Sequence, residues 1–194
     1  MDEMKSAFEK AMERVEKLGK ASPEELQRME YVPKGNALAA AFLRQEDYDL
    51  QGEMAKYDDT LKGYLIEGAQ DTFLKNITLP TNQNGMRSSK RAMEGISVLK
   101  GKKRELEELF QQIEHLFDYY GQARQQLFTD LKGRFEEQMQ AAQASMGQQV
   151  RGRADFRPEM HPQFQEELRR ALGQLSMQYE GVLEEHKQKI KRIK

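Results

Sequence analysis

A run of evenly spaced apolar residues in a segment without proline constrains the fold of this chain most strongly. No proline occurs between Pro80 and Pro158, so no proline breaks a helix there. Apolar residues recur within it at intervals of seven, at Leu99, Leu106, Ile113, Tyr120 and Leu127. Such a repeat is typical of a helix that packs along a partner helix, as in a coiled coil. The pattern predicts a helix over residues 88–150, about 95 Å long if unbroken at about 1.5 Å per residue.

Glycines within residues 88–150 argue against complete continuity of this helix. The segment contains Gly95, Gly101, Gly121, Gly133 and Gly147. Each glycine in a helix interior costs about 1 kcal/mol relative to alanine. We expect any kink or break to fall near Gly101, and the pattern alone does not decide whether the helix continues through Gly95 and Gly101.

A second helix is predicted after a connector over residues 151–161. Pro162 suits the first position of a helix, and residues of 162–194 at helical spacing share one face from Phe164 to Ile193. The two helices then form an antiparallel hairpin over residues 81–194. Placing Val150 opposite Pro162 brings the lysine-rich C-terminal tail beside Glu114 and Asp118, where opposite charges pair.

The N-terminal part predicts shorter helices. Residues 1–46 are expected to form several short helices, the first an amphipathic segment over residues 2–18. Ser22-Pro23-Glu24-Glu25 has the residues of a capping box and predicts a helix start. Val32-Pro33-Lys34-Gly35 is expected to end that helix, because proline disrupts a helix interior. Residues 47–80 predict an amphipathic helix that packs on the hairpin.

The predicted fold is therefore all-α. Valine, isoleucine and threonine, the residues that favour strands, are sparse, and residues with high helix propensity dominate. The expected architecture is an elongated helical bundle, built on a long antiparallel coiled-coil-like hairpin with short N-terminal helices.

The composition excludes several kinds of site. The chain has no cysteine and 3 histidines, so thiolate chemistry is excluded and a dedicated metal enzyme is not expected. Neither Glu-x-x-His nor His-Glu-x-x-His occurs. We therefore expect a protein that is not an enzyme, with no catalytic residues, cofactor or metal. The charged N-terminus and the lack of a long apolar run predict a cytoplasmic protein with no membrane span.

One apolar run is a candidate site for a protein partner. Residues 37–43 are apolar on every side of a predicted helix, and such a run is either buried in a core or docked against another protein. The candidate partner-binding residues are Ala37, Leu38, Ala41, Phe42 and Leu43.

Two basic clusters are candidate contacts for a nucleic acid or an acidic protein. Arginines interleaved with an aromatic residue can bind RNA phosphates and stack on a base. The alternative interpretation is a solvated hairpin tip. The candidate residues are Lys100, Lys102, Lys103 and Arg104 in the first cluster and Arg151, Arg153, Phe156 and Arg157 in the connector.

These patterns lead to two functional hypotheses. The first is a non-enzymatic helical protein–protein interaction module, such as an adaptor, a scaffold subunit or a chaperone-like factor. The alternative is an RNA- or ribosome-associated factor that binds through basic clusters 87–104 and 151–157. A homo-oligomer is also possible in this interpretation, because a single hairpin leaves part of the long helix without a partner helix.

Overall fold

The structure is a computed structural model that describes residues 22–101, 103–145 and 157–193. Every regular element in these ranges is a helix and none is a strand, which confirms the all-α prediction. The chain divides into two units, Met1–Lys75 and Asn76–Lys194. The helices are α1 (Pro23–Arg44), α2 (Leu50–Ala55), α3 (Asp59–Asn76), α4 (Gln83–Lys100), α5 (Arg104–Ser145) and α6 (Pro162–Arg192), with a 3₁₀ turn over Pro158–Met160.

Helix α1 begins where the sequence predicted. The hydroxyl oxygen of Ser22 accepts a hydrogen bond from the backbone N–H of Glu25 at 3.1 Å, and the Glu25 carboxylate accepts one from the backbone N–H of Ser22 at 2.8 Å. This capping box satisfies two backbone donors that a helix start leaves free.

The predicted end of this helix at residues 32–35 is wrong, because α1 continues through Pro33 to Arg44. A proline inside a helix costs about 3 kcal/mol. Close packing against α3 occurs at the same turn. A Cβ on Gly35 would overlap the carbonyl oxygen of Leu65, and a Cβ on Gly68 would overlap that of Val32. We attribute the tolerance of Pro33 to this close packing, which its glycines permit. Of the short helices expected within residues 1–46, the one over residues 2–18 lies outside the described residues, and the described part forms the single helix α1.

The first unit has its own apolar core. The rings of Phe42 and Phe73 meet edge to face with their centroids 5.6 Å apart. The single helix expected over residues 47–80 is instead two helices, α2 and α3, separated by residues 56–58. The Asp49 side chain caps the start of α2, because its carboxylate accepts a hydrogen bond from the backbone N–H of Gly52 at 2.9 Å. The buried apolar residues of this unit are Ala39, Phe42, Leu50, Met54, Leu65, Ala69, Phe73 and Leu74.

The predicted helix over residues 88–150 is divided at Gly101. This glycine has φ +76° and ψ 165°, a backbone region that is essentially restricted to glycine. Helix α4 returns alongside α5, since Lys90 forms an ion pair with Glu114 at 3.1 Å. Just before the start of α4, the backbone carbonyl of Thr81 accepts a hydrogen bond from the Arg124 side chain of α5 at 3.1 Å. The regular heptad series therefore spans two helices, with Leu99 on α4 and the other four residues on α5.

Helix α6 packs against α5 with contacts that run in opposite order along the two helices. Tyr120 contacts Ser176 and Tyr179, whereas Phe128 and Phe135 both contact Phe164. The buried apolar residues of the second unit are Ile77, Ala92, Met93, Ile96, Leu106, Leu109, Ile113, Phe117, Tyr120, Leu131, Phe135, Phe164, Leu183, Ile190 and Ile193.

The register of these two helices differs from the predicted one. The tail after α6 lies beside Lys100, whose ammonium donates to the carbonyl of Ile193, and the predicted position beside Glu114 and Asp118 is wrong. Glu114 instead pairs with Lys90 of α4. Charge pairing at the surface contributes little, so the burial of aromatic and aliphatic residues determines the register.

Candidate protein-interaction surfaces

The apolar run over residues 37–43 lies largely in the core of the first unit. Phe42 is 5% exposed and packs against Phe73. Leu38, Ala41 and Leu43 are half-buried, and Ala37 is exposed. Of the five candidate partner-binding residues, Ala37 therefore presents the most accessible surface, and Phe42 serves to hold α1 on α3.

The first basic cluster is matched in part by acidic and carbonyl groups of its own unit. Arg104 forms an ion pair with Glu108 at 2.8 Å, and Lys100 donates to the carbonyl of Ile193 at the end of α6. Burial lowers the pKa of Lys100, with a further contribution from the nearby charge of Lys103. Lys103 is exposed and makes contacts of its own. Lys102 lies outside the described residues.

The second basic cluster falls mostly outside the described residues, which include neither Arg151, Arg153 nor Phe156. Arg157 is described and is exposed. It borders a shallow cavity of about 430 Å³ that Met160 and the ion pair of Lys132 with Glu159 also line. The Lys132 Nζ atom lies 2.5 Å from the Glu159 Oε1 atom. The hydrogen bond between them raises the pKa of Lys132 and lowers the pKa of Glu159.

An aromatic cluster lies close to this cavity between α5 and α6. His161 caps the start of α6, because its Nδ1 atom accepts a hydrogen bond from the backbone N–H of Gln163 at 3.3 Å. The centroid of its ring lies 5.1 Å from that of the Phe135 ring. Met160, the residue before His161, is 75% exposed. The cluster consists of buried Leu131, Phe135 and Phe164 with partly buried Phe128, Met139 and Leu168.

Exposed apolar side chains elsewhere on the second unit were not singled out from the sequence. Tyr119 is 63% exposed, Met177 66% and Val182 42%. Beside Val182 on α6, Leu183 is buried at 2% exposure. A clue to Tyr119 was present in the heptad pattern, because that pattern assigns Tyr120 to the packed face.

Tyr119 projects from α5 on the side away from α4. Glu114 and Arg124 of α5 each contact the segment that forms α4 and the turn before it, and each is five residues from Tyr119. At 3.6 residues per turn, Tyr119 is therefore about 140° around the helix from either contact. On the neighbouring helix, Val182 lies about 60° from Tyr179, which contacts Tyr120. Each of the two exposed side chains therefore lies close to a residue of the α5–α6 contact, Tyr119 next to Tyr120 and Val182 near Tyr179.

In residues 22–101, 103–145 and 157–193, no three histidine, aspartate or glutamate side chains are grouped so as to hold a metal ion. None of the helices in that part of the chain is both long enough and apolar enough to cross a membrane.

The fold and these surfaces define a helical protein whose candidate sites are exposed apolar and charged surfaces. A family model described as "Family of unknown function (DUF6657)" matches residues 51–192, and the chain belongs to this family. The match begins within α2 and extends through α6. A comparison with curated proteins gives no match. A comparison with solved structures gives none either.

Proposed function

We propose that this protein is a non-enzymatic helical interaction module, an adaptor, scaffold subunit or chaperone-like factor, that binds an apolar helix face of a protein partner. In this proposal the antiparallel, coiled-coil-like pair α5–α6 serves as a rigid spacer. The exposed side chains of Tyr119 and Val182 supply the binding surface. The cytoplasmic location expected from the sequence is part of the same proposal.

The exposure of Tyr119 carries the proposal. A tyrosine that is 63% exposed leaves much of a large amphipathic ring in water, and tyrosine is enriched in the buried centres of protein interfaces. Transfer of apolar surface from water into an interface contributes about 25 cal/mol per Å². A partner helix with apolar residues at its own exposed face would bury this ring while the phenolic hydroxyl stays at the rim.

The arrangement of charge favours a protein over an RNA partner. RNA binding relies on cations that are free to contact phosphates. In the first basic cluster, Lys90 and Arg104 already pair with Glu114 and Glu108, and Lys100 contacts a backbone carbonyl. The experiment below distinguishes a protein partner from an RNA- or ribosome-associated role.

The test is affinity purification of the tagged full-length chain from its source cells, with and without nuclease. The test variant is Tyr119→Glu with Val182→Glu, which places carboxylates where apolar contact is proposed. Gln125→Glu is the matched control, because Gln125 is exposed on α5 about 120° around the helix from Tyr119. We expect a stoichiometric protein that resists nuclease, is lost with the double variant and is retained with the control.

Three other outcomes would overturn the proposal. Recovery that nuclease abolishes and that falls steeply with salt would identify RNA as the partner. A protein partner that binds the double variant as well as the unchanged chain would remove the proposed surface. Recovery of the chain alone, with a mass in solution above that of one chain, would make self-association the role of this surface.

A further inference from the structure

The outer face of α6, in the second unit, lies opposite the contacts of this helix with α5. Tyr179 of α6 contacts Tyr120 of α5, and Leu183 is buried at 2% exposure. Met177 is 66% exposed and lies about 160° around the helix from Tyr179 and about 120° from Leu183. It forms the centre of an exposed face whose members recur at helical spacing. We call it the outer α6 face; it comprises Arg170, Gly173, Met177, Gly181 and Glu184.

The charges of α6 are complementary about Met177. Arg170 precedes Met177 by seven residues and Glu184 follows it by seven. Two copies of α6 can be placed antiparallel with Met177 opposite Met177, and each Arg170 then lies opposite Glu184 of the other copy. Arg169 and Glu185, each eight residues from the centre, are opposed in the same way. In this register no two like charges oppose each other anywhere along the helix.

Other arrangements of the same two helices oppose like charges. A parallel pair in register places Arg170 against Arg170 and Glu184 against Glu184. An antiparallel pair moved by four residues opposes Glu166 to Glu184 in one direction and Arg169 to Lys189 in the other. A shift of three residues also opposes like charges in both directions. Because opposed like charges disfavour an interface, the antiparallel register centred on Met177 is favoured over these alternatives.

The charged groups on this face are accessible to a second chain. Arg170 is exposed, and it forms no ion pair with another residue in the part of the chain that the structure describes. The Glu184 side chain is 58% exposed. One of its carboxylate oxygens accepts a hydrogen bond from the Gln188 side chain at 2.7 Å, and the other lies 4.0 Å from the Lys187 ammonium. This second oxygen is available to a guanidinium of another copy.

The backbone on both sides of Met177 leaves room for a second helix. Gly173 and Gly181 each lie four residues from Met177, and nothing lies within 4 Å of a Cβ added at either position. Gly173 also lines a shallow depression together with Arg170, Gln174 and Met177. Side chains on a helix lean toward its N-terminus. In the antiparallel register, Met177 of each copy therefore covers Gly181 of the other.

We propose that two copies of this chain associate through the outer α6 face, as an antiparallel pair with its twofold axis at Met177. Such a contact is isologous, since the same residues serve both copies. The two methionines supply its apolar centre, and the two Arg170–Glu184 pairs determine its orientation. The association is weak and reversible, because each copy contributes one large apolar side chain and the ion pairs are exposed. The face is separate from the proposed partner surface, since Val182 lies about 140° around α6 from Met177.

The absence of cysteine from the chain permits a test by disulfide formation at the twofold axis. Met177→Cys places one thiol of each copy beside the other in the proposed dimer. Gln178→Cys is the matched control, because Gln178 is exposed and lies about 100° around α6 from Met177. Both full-length variants are oxidised under mild conditions and followed by non-reducing gel electrophoresis. We expect the Met177→Cys chain to form a covalent dimer at least about tenfold faster than the control, because association raises the effective concentration of its thiols.

Charge reversal tests the register without cysteines. Sedimentation velocity over a dilution series gives the dissociation constant of the dimer. Arg170→Glu and Glu184→Arg each oppose like charges at two symmetric positions, so each is expected to raise the dissociation constant at least about tenfold. The chain with both changes restores the pairs in reversed orientation, and its dissociation constant should return to within about threefold of the original. Helical circular dichroism of each variant is measured first, and Arg170→Gln and Glu184→Gln replace the reversals if the signal falls.

Four results would overturn the proposal. Equal rates of disulfide formation in Met177→Cys and Gln178→Cys would show that the outer α6 face does not form the contact. Sedimentation of the unchanged chain as a monomer at every concentration would show that no second copy binds. A double charge reversal that fails to recover association would show that the two charged residues are not opposed. Loss of the dimer in Tyr119→Glu with Val182→Glu would assign self-association to the proposed partner surface instead.

Discussion

The hydroxyl oxygens of Tyr120 and Ser176 lie 2.8 Å apart and join α5 to α6. Tyr120 is 3% exposed, its hydrogen bond to half-buried Ser176 is partly shielded from water, and its ring also packs against Tyr179 with centroids 5.3 Å apart. Because a buried hydroxyl without a partner is costly, this pair favours one register of the two helices over its neighbours.

Removal of this hydrogen bond is expected to destabilise the second unit. Tyr120→Phe keeps the ring but leaves the Ser176 hydroxyl without its partner, and we expect a loss of about 1 kcal/mol in the free energy of unfolding. Tyr119→Phe is the matched control, since Tyr119 is 63% exposed and should change stability by less than about 0.5 kcal/mol. Urea unfolding of both variants checks this; equal effects would contradict the assigned role of Tyr120.

The backbone at Gly101 is expected to tolerate only glycine. Its φ of +76° is strained for any residue with a Cβ, and we expect Gly101→Ala to cost about 1 to 3 kcal/mol. Gly121→Ala has the opposite sign: Gly121 lies inside α5 with open space where a methyl group would be added, so alanine should stabilise by about 0.5 to 1 kcal/mol. Denaturant midpoints of the two variants should therefore move in opposite directions, and a stabilising Gly101→Ala would refute the assigned turn.

The close approach of α1 and α3 is expected to make Gly68 irreplaceable. A methyl group there would overlap the carbonyl oxygen of Val32, and we expect Gly68→Ala to destabilise the first unit by about 1 to 3 kcal/mol through forced separation of the helices. Gly63→Ala, on the same helix with nothing within 4 Å of an added Cβ, should stabilise by up to about 1 kcal/mol. Thermal unfolding followed by circular dichroism compares them; a neutral Gly68→Ala would contradict the close contact.

Acid is expected to destabilise the protein through His186. Burial lowers the pKa of His186 below its usual value of 6.5, and the charge of Lys189 adds to this effect while that of Glu185 opposes it. Its Nδ1 atom is buried, and no group in the described residues hydrogen-bonds to it. The unfolded chain then binds the proton more readily, so the stability contributed by neutral His186 is complete above about pH 6.5 and is lost as pH falls toward the lowered pKa.

The variant His186→Leu tests this dependence. The unchanged chain should lose stability as the pH falls from about 6.5, the usual histidine pKa, to about 5, and His186→Leu should lose less. His115→Gln is the control, because His115 is exposed and its replacement should leave the pH dependence as it was. Urea midpoints measured across this range decide the matter; the same slope in all three proteins would exclude His186 as the sensitive group.

Local signals in the sequence predicted the starts of α1 and α6 but not the end of α1. The capping box at Ser22 and the proline in the first turn of α6 each involve residues that are close together in the sequence. The local sequence is therefore enough to reveal them. The end of α1 depends instead on packing at Gly35 and Gly68, which are far apart in sequence, and Pro33 therefore did not act as the expected stop.

The candidate surfaces divide in the same way. The sequence identified apolar and basic clusters but not which of their members are exposed, and Phe42 is buried by a residue from α3. The heptad pattern distinguishes Tyr120 from Tyr119, whereas the exposure of Tyr119 depends on the side of α5 to which α4 returns. The glycine conformation at residue 101 decides that side.

The sequence by itself determined that this chain is helical, where α1 and α6 begin and which residues repeat with helical spacing, because propensity, capping and periodicity act over a few residues. The tertiary structure decided that Leu99 and Leu106 lie on different helices, that α4 covers one side of α5, and that the tail of α6 lies beside Lys100. Those choices depend on contacts between residues distant in sequence and on one backbone angle at Gly101, and apolar burial, which is non-directional, does not specify them from the pattern alone.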